Sequence, residues 1–168
     1  MEKRKITDAI VIHCSATPEG REHNVADLRA WHLARGFSDV GYHYVVRLDG
    51  TVEAGRGEEY VGAHCVESGM NRRSIGVCYV GGMDKGMKSP KDTRTEAQRR
   101  SLLELVRRLQ KKTLHSRQAC VRASGFRKEG MSVIRCEDDV FCGSCSFDDY
   151  ERVMYSQDLY SCGECGCA

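Results

Sequence analysis

The chain has 168 residues, enough for one well-buried domain with a tail and too few for two full-sized ones. Its 26 basic and 24 acidic residues leave a formal charge of +2, with no long basic block, so nothing in the charge pattern points to nucleic acid or another polyanion. No run approaches the roughly twenty apolar residues of a membrane helix, and the charged Met1–Lys5 followed by a short apolar stretch broken by Asp8 does not make a secretory leader. Synthesis in the cytoplasm, with reduced thiols, is therefore expected.

Ala9 to His13 reads as a buried central strand, because Ile10, Val11 and Ile12 are continuously apolar. A small-residue loop follows from Cys14 to Gly20. Asn24 can cap a helix over about 25–35, whose apolar positions Val25, Leu28 and Trp31 recur at helical spacing, and Gly36 stands where a left-handed residue ends it. His32 is expected on the surface of that helix. Tyr42–Leu48 and Thr51–Ala54 are two β-rich segments joined by Asp49-Gly50, a dipeptide that accepts positive φ at both centres of a tight hairpin turn.

Ser74 to Val80 is a second buried strand, closed by Gly81-Gly82. Thr95 and Gln98 form a capping box, after which Leu102, Leu105 or Val106, and Leu109 make an apolar stripe, with Arg107, Arg108, Lys111 and Lys112 near the end of the helix where cations are favourable. Strand, helix, hairpin, strand, helix predicts an α/β fold, a mixed central β-sheet flanked by helices. From Thr113 to Ala168 no period of 2 or 3.6 is sustained, and seven of the ten cysteines fall there. The expectation is a folded unit over 1–112 and an irregular Cys-rich tail over 113–168.

Taken singly, His13 at a strand end, Tyr42 and His43 at the hairpin start, and His64 in Val-Gly-Ala-His-Cys each have an ordinary structural reading as hydrogen-bonded or edge residues. In order they say more. Asp8-Ala-Ile-Val-Ile-His13-Cys-Ser-Ala-Thr, Asp39-Val-Gly-Tyr42-His-Tyr, Asp49-Gly-Thr-Val-Glu-Ala-Gly-Arg56, Val61-Gly-Ala-His64, Asn71, Ser74-Ile-Gly-Val-Cys-Tyr-Val-Gly-Gly82 and Asp92-Thr-Arg-Thr-Glu-Ala-Gln98 together resemble the phage-lysozyme type of N-acetylmuramoyl-L-alanine amidase, over about residues 6 to 112.

That resemblance implies the fold of peptidoglycan-recognition proteins and hydrolysis of the amide between N-acetylmuramic acid and L-alanine in peptidoglycan, by an endolysin-like enzyme acting as a monomer. It implies a zinc held by two histidines and a cysteine, with the fourth position open for water, an arrangement that lowers the water pKa and polarises the scissile carbonyl. His13 would be the first ligand, Tyr42 the catalytic phenol, and His64 and Asn71 would line the groove for the glycan and stem peptide.

The second histidine of the family, the cysteine eight residues beyond it and a lysine two before that cysteine have no counterpart, since His115 is the only later histidine. Reading Arg122 to Cys136 one nucleotide later permits Gly-His-Arg-Asp-Phe-Ala-Lys-Lys-Ala-Cys-Pro-Ser-Phe-Asp, with those spacings. Met131 has a single codon and, with a TCN serine next, forces the cysteine. A shifted reading frame after about Lys112 is thus expected, and with it weak or absent lytic activity. Two alternatives stand beside it: a module that binds muropeptides without cutting them, and a four-cysteine zinc ribbon from Cys142, Cys145, Cys162 and Cys165, whose two pairs are separated by sixteen residues.

Overall fold

The computed structural model describes residues 1–7, 9–66, 69–113, 124–127 and 131–135, the last two stretches as strand backbone. Six strands form one mixed sheet in the order β4-β3-β5-β1-β8-β7: β1 (Ala9–Cys14), β3 (Tyr44–Val46), β4 (Val52–Ala54), β5 (Ser74–Tyr79), β7 (Ser124–Arg127) and β8 (Met131–Arg135). β5 lies parallel to both β1 and β3, while β3 with β4, β1 with β8 and β7 with β8 are antiparallel. A two-strand parallel pair, β2 (Thr17–Pro18) and β6 (Gly82–Met83), lies beside it. No helix among the described residues is long and apolar enough to cross a membrane.

Alternation along the central strands assigns the two faces of the sheet. Ile10, Ile12, Val46, Ile75, Val77 and Tyr79 pack against Leu102, Leu103, Leu105, Val106 and Leu109 of α2 (Glu96–Thr113), which forms the main core. The opposite face carries Val45, Cys78 and Val80, covered by Val40 and by Leu28 of α1 (Val25–Ala34). His13 therefore emerges on the α1 face, since Ile10 and Ile12 are committed to the other.

Both helices start where the sequence places their caps. The Asn24 side chain accepts the Ala26 and Asp27 amides at 2.8 and 3.0 Å, and Asp27 returns a bond to the Asn24 amide. Thr95 and Gln98 exchange two 3.0 Å bonds. Gln98, wholly buried, then donates to the carbonyls of Val46 and Val80 and ties the start of α2 to the ends of β3 and β5.

Several expectations are corrected. The buried face of α1 is Leu28 with His32; Trp31 is 42% exposed and makes an edge contact with His23. His32 is buried because its Nδ1 accepts the Gly41 amide at 2.8 Å, a bond that secures the approach to the hairpin. The hairpin turn has positive φ only at Gly50 (+86°), not at Asp49. Gly50 N–H donates to Arg47 O and Arg47 N–H to Thr51 O, so the chain turns over 47–50 and closes with a left-handed bulge residue. A Cβ at Gly50 would stand 2.9 Å from Ala97 O, so α2 also leaves no room for one.

Regular structure does not stop at Lys112. β8 pairs with the free edge of β1, from Ala9 opposite Arg135 to Ile12 opposite Ser132, and β7 pairs with β8. Five residues with no visible period are sufficient where a central strand offers a row of unpaired N–H and C=O groups. The four cysteines of the ribbon reading and the rest of 136–168 lie outside the described residues, as does His115.

Candidate active site

The floor of the site is made by the residues of β1 and β5 that point away from α2. His13 stands opposite Cys78 in the parallel register, with Gly76 and Ser74 further back along β5. Tyr42 enters from the start of the hairpin and His64 from the loop before β5. The ring centroids of His13 and Tyr42 are 5.3 Å apart, those of His13 and His64 5.0 Å, and those of Tyr42 and His64 6.5 Å. Three residues distant in sequence thus share one site, and His13 Nε2 lies 2.9 Å from His64 Nδ1.

His64 is held from several directions. Its amide and that of Cys65 donate to Asn71 Oδ1 at 2.8 and 2.7 Å, and the Gly62 amide donates to the Asn71 carbonyl. The Asn71 side-chain oxygen is occupied by this loop, so Asn71 shapes the groove by holding His64. The imidazole lies directly over two glycines: a Cβ would come within 2.4 Å of the ring at Gly76 and 2.5 Å at Gly62. A glycine inside a buried strand marks such a close approach, a signal that Gly76 in Ser-Ile-Gly-Val carries and the sequence reading did not use.

Burial governs the ionisation of the site. It pushes His13 down to about 4 and, reinforced by the neighbouring His13 and His43, takes His64 down to about 2. His43, only 1% exposed, is also lowered by burial to about 4. Its Nδ1 accepts the Gly76 amide at 2.9 Å, so the proton must sit on Nε2, which donates to Tyr60 O at 3.0 Å. Arg4 Nη1, 3.1 Å from that Nε2, is then a donor facing a donor; its hydrogen bonds run to the carbonyls of Ser74 and Tyr60. Burial raises the Tyr42 phenol well above its ordinary range, with the Cys78 and Cys14 thiols beside it adding to the shift, so Tyr42 stays protonated at neutral pH.

Arg56 is the other residue that sequence reading left without a role. It is buried at 6% exposure and its guanidinium fans across three carbonyls, Val40 at 2.9 Å, Val61 at 2.9 Å and Asp39 at 3.3 Å. These bonds join the segment before Tyr42 to the segment before His64 and so tie the two side chains' backbones together.

The site offers a neutral imidazole pair facing a protonated phenol, which can donate and accept hydrogen bonds to an amide and its oxygens. A zinc centre needs three protein ligands. Among the described residues no group of three or more His, Cys, Asp or Glu side chains could hold a metal ion. His13 and His64 are a pair bonded to each other, which does not fit that requirement.

Comparison with known proteins gives the family. The family model for N-acetylmuramoyl-L-alanine amidase matches residues 2–129. The chain is 48% identical to an endolysin of Escherichia phage T7 over 105 residues, 62% of this chain and 68% of that protein. It is 41% identical to an endolysin of Enterobacteria phage T3 over 156 residues, 93% of this chain and 91% of that one, an alignment too long to end at Lys112. Among solved structures it is similar to the N-acetylmuramoyl-L-alanine amidase LysC from Clostridium intestinale, with 31% identity, a TM-score of 0.50 and coverage of 60% of each chain. With three quarters of its length inside that model, the chain belongs to the N-acetylmuramoyl-L-alanine amidase family.

Proposed function

We propose that this chain recognises peptidoglycan at the cleft of His13, Tyr42 and His64, with the amide between N-acetylmuramic acid and L-alanine as the bond presented to it. The observation that carries the reading is the convergence of His13 and Tyr42, 5.3 Å apart between ring centroids, in a member of an amidase family. A protonated, desolvated phenol is suited to donate to an amide oxygen as charge develops there. The imidazoles of His13 and His64, neutral at pH 7, are suited to pair with the polar edge of a stem peptide.

The family reaction as the resemblance implies it is zinc-dependent hydrolysis, in which the metal supplies an activated water. The described residues do not complete a ligand set for it. By family the chain is a peptidoglycan hydrolase of the N-acetylmuramoyl-L-alanine amidase type; our reading of this exact chain is weak or absent cleavage, with muropeptide binding without cleavage as the alternative. The expected reading-frame shift after about Lys112 would account for the missing histidine, cysteine and lysine; the alignment with the endolysin of Enterobacteria phage T3, which runs past that point, speaks against it, and the codons for residues 122–136 decide.

The experiment is a titration of the purified 168-residue chain with a muramoyl tripeptide, alongside clearing of a cell-wall suspension with and without added zinc. Binding that Tyr42→Phe or His13→Ala weakens, without clearing, is expected. Clearing by the unmodified chain that His13→Ala abolishes would overturn the loss of activity. No binding by a folded chain would overturn the cleft assignment itself.

A further inference from the structure

We propose that Arg4 is a positioning residue for His64: it fixes the segment that leads into His64, and with it the place of that ring beside His13 and Tyr42. The consequence for ligand binding rests on the reading of the cleft as a muropeptide site; the positioning itself does not. Residues 2–4 lie ahead of the motifs that single out the cleft, yet they pair with the chain just before His64. The Arg4 amide donates to Glu59 O at 2.7 Å, the Val61 amide donates to Glu2 O at 2.9 Å, and Lys3 bridges Tyr60 in antiparallel fashion.

The Arg4 side chain supplies a donor where β3 does not reach. Gly76 turns its amide and its carbonyl to His43, with bonds of 2.9 and 2.8 Å. Ser74, two residues back along β5, turns its carbonyl to the same side. β3 begins with Tyr44 opposite Val77, too late to cover that carbonyl. Arg4 Nη1 donates to it at 3.0 Å, while Nε donates to Thr7 Oγ1 at 2.8 Å, which holds the guanidinium from the chain entering β1. One side chain thus ties the 59–61 segment to the start of β5, the strand that pairs with the His13 strand.

Packing passes what is fixed at Tyr60 on to His64. Gly62 lies between them and has no spare room, since a Cβ there would stand 2.5 Å from His64 Cδ2 and 2.9 Å from His43 Cε1. His43 itself bonds Tyr60 O through Nε2 at 3.0 Å. A shift of 59–61 therefore has to displace one of the two rings, and His43 is tied to Gly76 through Nδ1. Asn71 holds the other end of the segment at the amides of His64 and Cys65. The loop is pinned at both ends, by Asn71 close to the ring and by Arg4 at its entry.

The test compares the full chain with Arg4→Gln and with the milder Thr7→Val, which frees the guanidinium on one side only. Lys91→Gln is the control, because it also removes one positive charge, from an ion pair with Glu19. In ligand-free protein, carbon and proton NMR signals of the His64 ring should shift in Arg4→Gln and, by less, in Thr7→Val. Affinity of the folded protein for a muramoyl tripeptide should fall about fivefold in Arg4→Gln, the scale of coupling through packed contacts. Arg4→Lys, which keeps a donor for Ser74 O, should recover most of that loss, and Lys91→Gln should match the parent in both measurements. A lower Tm in Arg4→Gln with unmoved His64 signals and parent affinity would mark Arg4 as merely structural and overturn the proposal. Should Arg4→Gln fail to fold, unmoved His64 signals in Thr7→Val would overturn it equally. If the unmodified chain does not bind the tripeptide while Arg4→Gln still shifts the His64 signals, the cleft assignment falls and the positioning stands.

Discussion

Gly76→Ala is the substitution that most directly tests how this cleft is built. In β5 the backbone accepts alanine without strain, since Gly76 does not have positive φ. The new Cβ would lie 2.4 Å from His64 Cδ2, 2.5 Å from Cγ and 2.7 Å from Nε2, whereas ordinary contact begins near 3.4 Å. The ring must therefore retreat by about 1 Å. Its bond to His13, 2.9 Å long, would stretch beyond hydrogen-bonding distance. Overpacking costs about 1–3 kcal/mol and the lost bond about 1 kcal/mol. The reduced entropy of the unfolded chain offsets about 0.4–1 kcal/mol. The net loss of about 2–3 kcal/mol corresponds to a Tm lower by about 5–10 °C for a chain of this size. Differential scanning calorimetry gives that number, and muropeptide titration should show about tenfold weaker binding, the equivalent of one lost interaction of about 1.4 kcal/mol. Gly20→Ala is the control, because Gly20 has φ +76° with nothing within 4 Å: it should cost stability through backbone strain and leave binding unchanged. A Gly76→Ala protein with the parent Tm and the parent affinity would refute the packing of His64 on β5.

Three further outcomes follow from the same contacts. Asn71→Ala leaves the amides of His64 and Cys65 without their acceptor and should cost about 1–3 kcal/mol in urea unfolding, while Asn71→Asp, which keeps an oxygen in place, should recover most of it. Tyr42→Phe keeps the ring contacts of the cleft and removes the phenol, so muropeptide affinity should fall severalfold with Tm within a few degrees of the parent; equal affinity would show that the hydroxyl does not touch the ligand. For His13 and His43, lowered from 6.5 to about 4, and His64, lowered to about 2, the unfolded chain binds more protons than the folded one below pH 6.5. Stability is therefore fully present above pH 6.5 and is lost as pH falls toward 4, by up to about 1.4 kcal/mol per pH unit for each group. A Tm that stays flat between pH 7 and pH 4.5 would contradict the burial of these imidazoles.

Local chemistry made most of the framework legible before any coordinates. Asn24 and the Thr95–Gln98 pair announce helix starts because their side chains satisfy amides within three residues, and Ile10 to Ile12 announce a doubly covered strand by being apolar on both faces. The ordered motifs around His13, Tyr42 and His64 were likewise enough to select the family. Other features depended on distant partners. His32 reads as a surface residue until Gly41 supplies its amide, and Asn71 reads as a groove residue until its oxygen is found holding two amides of the His64 loop. Met131–Arg135 has no pattern of its own and becomes a strand because β1 has an edge to fill.

The sequence by itself determined both helices and the strands that carry their own turns or periodicity, and which residue types are available for chemistry, because caps, turns and periodicity are contacts between near neighbours. Tertiary structure decided that His64 lies over Gly76 and within bonding distance of His13, and how Arg56 ties the segment before Tyr42 to the segment before His64. Those are relations between residues tens of positions apart, set by the packing of the loop before β5 onto the sheet, and no local pattern encodes a distance across the fold.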